Sequence, residues 1–364
     1  MGLFNTIYKA GEFELFKNYA AENRKTHPLR SLFWECTLRC NMNCLHCGSS
    51  VHKRDSSSEL TEEEIVPVFE SIARQRDPRS IFLNITGGEP LVRSDLCQIM
   101  QRIHALGFNW TMTTNGLLLD RACVEELQAA GLATMSISID GVGSTHDELR
   151  QTPGSFDKII SNIEALEPDD FQVMEITTVF NKKNIHQLNE LHELIKGLKA
   201  ITQWRLVSCD PIGSAMENRE MLLDAAEITQ LLDFIVANKD TSPLTLSYGC
   251  QGFVGLKYEK EVRRSFWRCS TGINIGSILY DGAISVCPNV PRTNHTIYGN
   301  VRNDDFCTVW ENGFAEFRSR EQHKIGICKQ CEQWEGCLGG AYHTIDPNTG
   351  EQSKCYHHMQ KEAR

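Results

Sequence analysis

The sequence predicts an α/β protein: an incomplete parallel barrel of six strand–helix units, followed by a cysteine-rich region. Short apolar segments alternate with amphipathic ones from about residue 31 to residue 208, as in repeated units of parallel strand and crossover helix. After about residue 245 the helical periodicity fades, and eight of the 15 cysteines follow. Because a closed barrel needs eight units, we expect this one to be open on one side.

The first half of the barrel is predicted from three strand–helix pairs. Thr61 and Glu64 form a capping box at the start of the first helix, and Gly107 ends the second. In chain order the pairs are "SLFWEC" with "TEEEIVPVFESIARQ", "SIFLNITGGEP" with "RSDLCQIMQRIHALG", and "NWTMTTNG" with "DRACVEELQAAG".

The second half of the barrel continues the alternation and leads into the cysteine-rich region. Its segments are "ATMSISIDG", "SFDKIISNIEAL", "FQVMEITTVF", "NIHQLNELHELIKGL" and "QWRLVS". A hairpin around Asp281 and Gly282, "ILYDGAISVC", follows. We therefore expect an N-terminal helical segment (1–30), the barrel (31–212), a helical bridge (213–247) and the cysteine-rich domain (248–364).

The overall composition excludes several classes of function. A formal charge of −10 argues against a nucleic-acid partner, which needs a basic surface. No apolar run has the length of a membrane span, so we expect no membrane partner and a cytoplasmic protein. Cysteines stay reduced in the cytoplasm, where clustered cysteines more often bind metal than form disulfides.

Cys40, Cys44 and Cys47 follow the first strand with C-x3-C-x2-C spacing. Three thiolates ligate three irons of a cubane cluster and leave the fourth iron open for a small ligand. The alternative is a zinc site with His46 as the fourth ligand. The next strand ends in the segment "GGEP", whose bare backbone and single carboxylate suit an ammonium group, and this favours the cluster.

The cysteine spacing and the "GGEP" segment together resemble the radical S-adenosylmethionine (SAM) enzymes over residues 31–210. The resemblance implies that the three cysteines hold a 4Fe-4S cluster whose open iron binds SAM, which is reductively cleaved to a 5'-deoxyadenosyl radical. His46 would lie beside the adenine. The SAM amino group would meet Gly87, Gly88 and Glu89, and the ribose and carboxylate would meet Ser138, Asp140 and Arg150.

The C-terminal cysteines resemble the SPASM extension of radical SAM enzymes. Cys328, Cys331 and Cys337 have C-x2-C-x5-C spacing, Cys287 ends a G-x4-C element, and "YGNV" and "TVWENGFAEFR" fit the same extension. The resemblance implies two auxiliary 4Fe-4S clusters. The outer cluster would take Cys328, Cys331, Cys337 and Cys355, and the inner cluster would take Cys250, Cys269 and Cys287.

The fourth ligand expected for the inner cluster is replaced by Ala341. This leaves an open iron, a substitute ligand such as Cys307 or His343, or no inner cluster, and we expect a cluster with three cysteine ligands. A pair of zinc knuckles is the alternative for the whole C-terminal set.

Cys209 follows "QWRLVS" at the end of the sixth strand, where we expect it to face the reaction chamber. There its thiol would give a hydrogen atom to a substrate radical. The alternative is a buried structural thiol.

The resemblance implies a radical SAM maturase that abstracts hydrogen from a peptide or protein carbon and leads to crosslinking, oxidation or epimerisation. The expected partners are a ribosomally made precursor or a small lipoprotein, and an electron donor such as flavodoxin or ferredoxin. An anaerobic sulfatase maturase is one alternative, although its catalytic aspartate after the G-x4-C cysteine is Pro288 here. A tetrapyrrole-modifying radical SAM enzyme and a zinc-binding scaffold without catalysis are the others.

Overall fold

The computed structural model describes residues 2–49, 58–346 and 348–362, and within them the chain forms ten strands and thirteen α-helices. The strands are β1 Ser31–Thr37, β2 Phe82–Gly87, β3 Asn109–Thr114, β4 Leu132–Ser138, β5 Val173–Phe180, β6 Gln203–Ser208, β7 Thr245–Tyr248, β8 Ile275–Ile278, β9 Ala283–Ser285 and β10 Ile297–Asn300. The helices are α1 Gly2–Thr26, α2 Glu62–Gln75, α3 Leu96–Ala105, α4 Arg121–Ala129, α5 Ser144–Arg150, α6 Ser155–Glu164, α7 Leu188–Lys196, α8 Ala225–Asn238, α9 Glu259–Val262, α10 Phe306–Gly313, α11 Ala315–Ser319, α12 Trp334–Cys337 and α13 Tyr356–Glu362.

All ten strands belong to one sheet, in the order β10-β9-β8-β1-β2-β3-β4-β5-β6-β7. Strands β1 to β6 are parallel sequence neighbours, which confirms the predicted barrel of six strands. Strand β7 extends one edge in parallel, and β8 pairs with β1 in parallel at the other. The predicted hairpin is β8 and β9, so the cysteine-rich region continues the barrel sheet. The boundaries at residues 30, 212 and 247 stay predictions.

The two faces of the sheet differ in polarity. Alternate residues such as Trp34 and Leu83 are fully buried against the apolar faces of the helices. The opposite face carries hydroxyl and charged side chains, such as Ser136 hydrogen-bonded to Thr177 at 2.7 Å. The helix-facing side forms the core, and the polar side lines the interior of the barrel.

Helix α1 packs onto the C-terminal region through aromatic contacts. The ring centroid of Phe13 lies 6.2 Å from that of Phe253 and 5.0 Å from that of Phe266. One turn further on, Phe16 and Tyr19 form part of the wall of a cavity under the helix. Among the described residues, none of the helices has the length and apolarity needed to cross a bilayer.

Candidate active site

The three cysteines of the first motif lie in the loop after β1, at the end of the sheet where the strands β2 to β6 terminate. They line a cavity of about 320 Å³, which we call the loop cavity. Burial raises the pKa of the Cys40 thiol to about 11 and also raises the pKa of Cys44. Without metal the Cys40 thiol is therefore protonated at neutral pH, and metal binding must displace its proton.

The "GGEP" segment fastens the cysteine loop to the sheet. The backbone N–H of Gly88 donates to the carbonyl of Thr37 at 2.8 Å, and that of Glu89 donates to the carbonyl of Arg39 at 2.9 Å. A Cβ atom at Gly87 or Gly88 would lie 2.2 Å from one of these two carbonyl oxygens. The two glycines are therefore required for the close approach of the two backbones.

The carboxylate of Glu89 accepts three hydrogen bonds from the protein and is 1% exposed. Its donors are the Thr114 hydroxyl at 2.7 Å and the backbone N–H groups of Asn115 at 2.7 Å and Leu91 at 3.2 Å. The sequence predicts that this carboxylate contacts the SAM amino group. In the structure it borders the loop cavity while joining β2 to β3.

Asp140 is fully buried and forms ion pairs with two of the predicted SAM contacts. Its Oδ2 atom lies 2.9 Å from His46 Nε2 and 2.5 Å from Arg150 Nη2, and Arg150 Nη1 donates to Cys44 Sγ at 3.5 Å. Burial alone would raise the pKa of Asp140, but Arg150 and His46 hold it below its ordinary value. Asp140 therefore positions His46 and Arg150, and its own contact with the cofactor stays a prediction.

Ser138, Arg150 and Cys209 line the loop cavity together with the three cysteines. His46 also borders it, and its buried Nδ1 atom has no hydrogen-bond partner among the described residues. Burial raises the pKa of the Cys209 thiol to about 12, so the thiol is protonated at neutral pH. A protonated thiol retains the hydrogen atom that a donor to a radical needs.

Asp210 follows Cys209 and is the centre of a buried polar network that the sequence analysis missed. Its carboxylate accepts from His343 Nε2 at 2.9 Å, Lys354 Nζ at 3.2 Å and the Tyr356 hydroxyl at 2.5 Å. The pKa of Asp210 is lowered because Lys354 and His343 outweigh the effect of burial. The only sequence signal was the polar pair, Lys354 and Tyr356, on either side of Cys355.

A second cavity, of about 550 Å³, is lined by Cys250, Cys269 and Cys287, and we call it the inner cavity. Although burial raises the pKa of the Cys269 thiol, the Arg320 guanidinium and the Thr271 hydroxyl lower it to about 7. His343 also lines this cavity. Of the two substitute ligands considered above, His343 and Cys307, His343 is the one that lines the inner cavity.

Cys307, the other substitute ligand considered above, does not line the inner cavity. It is buried in α10 as part of the hydrophobic core, and its electrostatic neighbours are Arg76, Asp305 and Glu311. Ala341 is 1% exposed and brings no donor atom to the site.

Cys328, Cys331, Cys337 and Cys355 surround a small cavity of about 20 Å³, and we call them the outer cysteines. Burial and the neighbouring Cys355 and Cys331 thiols raise the pKa of Cys328 to about 11. The backbone N–H of Gly340 donates to Cys337 Sγ at 3.1 Å. Such N–H···S bonds tune iron-sulfur clusters.

A third cavity, of about 470 Å³, lies beside the loop cavity and is lined by residues such as Ile212, Met216 and Leu223; we call it the side cavity. Asn289 and His343 line all three of the larger cavities. The three cavities therefore adjoin one another at these two residues.

Within the described part of the chain, no three His, Cys, Asp or Glu side chains converge on a position for a single metal ion. A mononuclear zinc site needs its donors about 2.0 to 2.3 Å from one ion. A cubane cluster spreads its thiolates over separate irons.

A parallel barrel with three cysteines at its C-terminal strand ends and further cysteines in an extension defines an iron-sulfur enzyme. Residues 34–195 match the radical SAM superfamily, and residues 269–332 match the SPASM iron-sulfur cluster-binding domain. The chain therefore carries a radical SAM domain followed by a SPASM domain. It is an enzyme that uses SAM and 4Fe-4S clusters, which excludes the scaffold without catalysis.

The chain is similar to curated proteins with two kinds of substrate. An AdoMet-dependent heme synthase from Methanosarcina barkeri is 28% identical over 349 residues, which cover 91% of this chain and 97% of that protein. The mycofactocin maturase MftC from Mycolicibacterium smegmatis is 28% identical over 318 residues, which cover 85% of this chain and 77% of that protein.

Two solved structures show the same fold. The structure of anSMEcpe with bound AdoMet has a TM-score of 0.73 at 18% identity and covers 92% of this chain and 95% of its own. Streptococcus suis SuiB bound to the precursor peptide SuiA has a TM-score of 0.69 at 18% identity and covers 88% and 74% of the two chains.

The residues present fit the cofactors that the family implies. Three thiols line the loop cavity, and the buried Nδ1 atom of His46 beside it lacks a protein partner. Cys40, Cys44 and Cys47 would hold the radical cluster, with Arg150 and His46 beside SAM. The inner and outer cysteines would hold the auxiliary clusters, so the ligand assignments predicted from the sequence stay proposals that this geometry supports.

Proposed function

We propose that the chain is a radical SAM maturase that acts on a peptide or protein segment. The observation that supports this proposal best is that the loop cavity and the side cavity adjoin at His343 and Asn289. An extended peptide segment would suit this arrangement, with its target residue in the loop cavity and its flanking residues in the side cavity. Among the relatives, the mycofactocin maturase also carries a maturase name.

The bound SAM and cluster would supply a carbon radical that removes one hydrogen atom from the substrate. The protein's own residues have the task of fixing the target carbon and excluding water. Arg150 and His46, held by Asp140, would orient the cofactor. The hydroxyl-rich barrel interior would hydrogen-bond the peptide backbone.

Cys209 and His343 would decide the fate of the substrate after hydrogen removal. The Cys209 thiol is protonated and borders the loop cavity, so it would return a hydrogen atom to the opposite face of the target carbon in an epimerisation. The thiyl radical left on Cys209 would be converted back to the thiol by one electron from the external electron donor and one proton from solvent. His343, fixed by Asp210, would accept a proton in an oxidation or crosslinking reaction.

A tetrapyrrole is the second candidate substrate. The heme synthase of Methanosarcina barkeri matches this chain over 97% of its own length, more than the 77% of the mycofactocin maturase. In this case the inner cavity, at about 550 Å³, would hold the macrocycle beside Tyr19 and Trp267.

The two candidates are separated by product analysis on anaerobically reconstituted protein with SAM and dithionite. One set of reactions contains each short peptide encoded beside the gene, and the other contains iron coproporphyrin III. The proposal predicts peptide-dependent release of 5'-deoxyadenosine with a matching mass loss, or with deuterium uptake from D₂O. Consumption of the porphyrin without any peptide reaction would instead establish the second candidate.

Two variants serve as controls. The triple variant Cys40→Ala, Cys44→Ala, Cys47→Ala should abolish 5'-deoxyadenosine release with every substrate. Cys209→Ala should abolish deuterium uptake by the peptide but leave 5'-deoxyadenosine release intact. If Cys209→Ala leaves the deuterium uptake unchanged, then Cys209 is not the hydrogen donor.

A further inference from the structure

Arg268, which precedes the inner cysteine Cys269, has two further arginines as charged neighbours. Arg24 belongs to α1, Arg268 precedes Cys269, and Arg320 follows α11. Burial and the charges of Arg24 and Arg320 lower the pKa of Arg268 to about 10. None of the three forms an ion pair with a carboxylate within the residues that the structure describes. Positive charge is therefore concentrated here without a protein counter-ion.

Arg320 is the most buried of the three and is rigidly held. It is 1% exposed, and its φ of 61° is a left-handed conformation that is costly for a residue with a Cβ. Its Nε donates to the Phe317 carbonyl at 3.2 Å and its Nη2 to the Cys269 carbonyl at 3.5 Å. Its guanidinium centre lies 5.0 Å from the centroid of the Tyr342 ring.

One hydrogen-bond donor of the Arg320 guanidinium lacks an acceptor in the described part of the chain. The Nη1 atom of Arg320 is buried and has no hydrogen-bond partner among the described residues. A buried cation without a partner is expensive, so proteins retain one where an anion binds nearby. The thiol of Cys269 is an electrostatic neighbour of the guanidinium, and an iron-sulfur cluster with thiolate ligands is such an anionic group.

We propose that Arg320 is a charge-compensating residue that raises the reduction potential of the cluster held by Cys250, Cys269 and Cys287. Reduction adds negative charge to the cluster, and a fixed cation nearby stabilises the reduced form. The inner cluster thereby becomes a better electron acceptor. This inference rests on the assignment of the three inner cysteines as ligands and is independent of the substrate class.

The test is a redox titration of the reconstituted full-length enzyme, monitored by electron paramagnetic resonance. Cys287→Ala is measured first. The redox couple and the iron that are lost in this variant are assigned to the inner cluster. Arg320→Gln then removes the charge, and Arg320→Lys restores it. Arg318→Gln is the matched control, because Arg318 lies in α11 and donates to the carbonyls of Gly272 and Glu311.

A unit charge within about 10 Å changes such an equilibrium more than tenfold at an effective dielectric of about 20. We therefore expect Arg320→Gln to lower the midpoint potential of the inner couple by at least about 59 mV, the equivalent of tenfold for one electron. Arg320→Lys should restore most of the shift. Arg318→Gln should change the midpoint potential of the inner couple by less than a third of this value. The midpoint potentials of the other clusters should not change.

Several results would overturn the proposal. An unchanged inner potential in Arg320→Gln with full iron content would do so, as would an equal shift of all couples. If Cys287→Ala loses neither iron nor a couple, the inner cluster does not exist, and the proposal fails while the proposed function stands. If Arg320→Gln does not fold, Arg320→Met replaces it. Loss of iron from the outer site in both neutral variants would also overturn it, because Arg320 would then act on the fold and not on the potential of the inner cluster.

Discussion

Substitution of the buried carboxylate of Asp210 tests which interactions stabilise the end of β6. Its side chain is 2% exposed, and those of its partners Lys354 and His343 are 7% exposed. The Asp210→Asn substitution keeps the shape but removes the only charge that balances the ammonium of Lys354 in this network. The buried cation is then left without a counter-ion.

The size of the effect follows from the distance between the charges. Two unit charges 3.2 Å apart, as Lys354 Nζ and Asp210 Oδ1 are, interact with ~5 kcal/mol at an effective dielectric of about 20. Part of this is offset by the cost of burying the ions, and removal of one partner of a buried pair costs about 3 to 5 kcal/mol. With a denaturant slope of about 3 kcal/mol per molar urea, the unfolding midpoint should fall by about 1 M.

The assay is urea unfolding of the reduced, iron-free protein at pH 7, followed by circular dichroism and by tryptophan fluorescence. Asp77→Asn is the matched control, because Asp77 is an exposed carboxylate that pairs with Arg79, and its midpoint should be unchanged. Equal midpoints for Asp210→Asn and the wild type would refute the idea that this carboxylate stabilises the protein.

The same network predicts a pH dependence. The pKa of Asp210 is lowered in the folded protein, so its contribution to the free energy of unfolding is complete above the ordinary carboxyl pKa of about 3.9 and is lost as the pH falls below it. The midpoints of the wild type and of Asp210→Asn should therefore differ fully near neutral pH and converge below about pH 4. A difference that already vanishes between about pH 7 and pH 5, or that does not shrink at all below about pH 4, would contradict this assignment.

Three further substitutions have clear expected results. Gly88→Ala places a Cβ 2.2 Å from the Arg39 carbonyl oxygen, so the iron bound by the first cysteine motif should be lost, and a full iron content would contradict this. Asp140→Asn leaves Arg150 without its counter-ion and should weaken SAM binding, measured by calorimetry, by about tenfold or more; an unchanged Kd would count against it. Cys307→Ser should leave the iron content unchanged, and any loss would return Cys307 to the list of ligands.

The features that the sequence predicts are those encoded over short distances along the chain. The alternating periodicity gives the six parallel strands. The first cysteine motif lies in eight consecutive residues, so its metal-binding role does not depend on knowing the fold. The "GGEP" segment is predicted at the correct strand end, but its contact with the cysteine-loop backbone needs the pairing of β1 with β2.

The features that the sequence does not predict depend on partners far apart in the chain. His343 lies 133 residues from Asp210, and Tyr356 lies 146 residues from it. Strand β8 joins β1 across more than half the chain, so neither strand's own pattern reveals the pairing. The family resemblance implies that Asp140 contacts the cofactor, and only the folded structure shows that Arg150 and His46 pair with it.

The Asp210 network also connects the reaction chamber to the outer cysteines. Lys354 and Tyr356 flank Cys355 in sequence, and both donate to Asp210, which follows Cys209 at the end of β6. Lys354 also donates to the Cys209 carbonyl at 2.7 Å. One buried carboxylate therefore fixes the segment that bears an outer ligand against the strand that carries the proposed hydrogen donor. Asp210→Asn should then disturb both sites, and the iron count at the outer cysteines should fall together with stability.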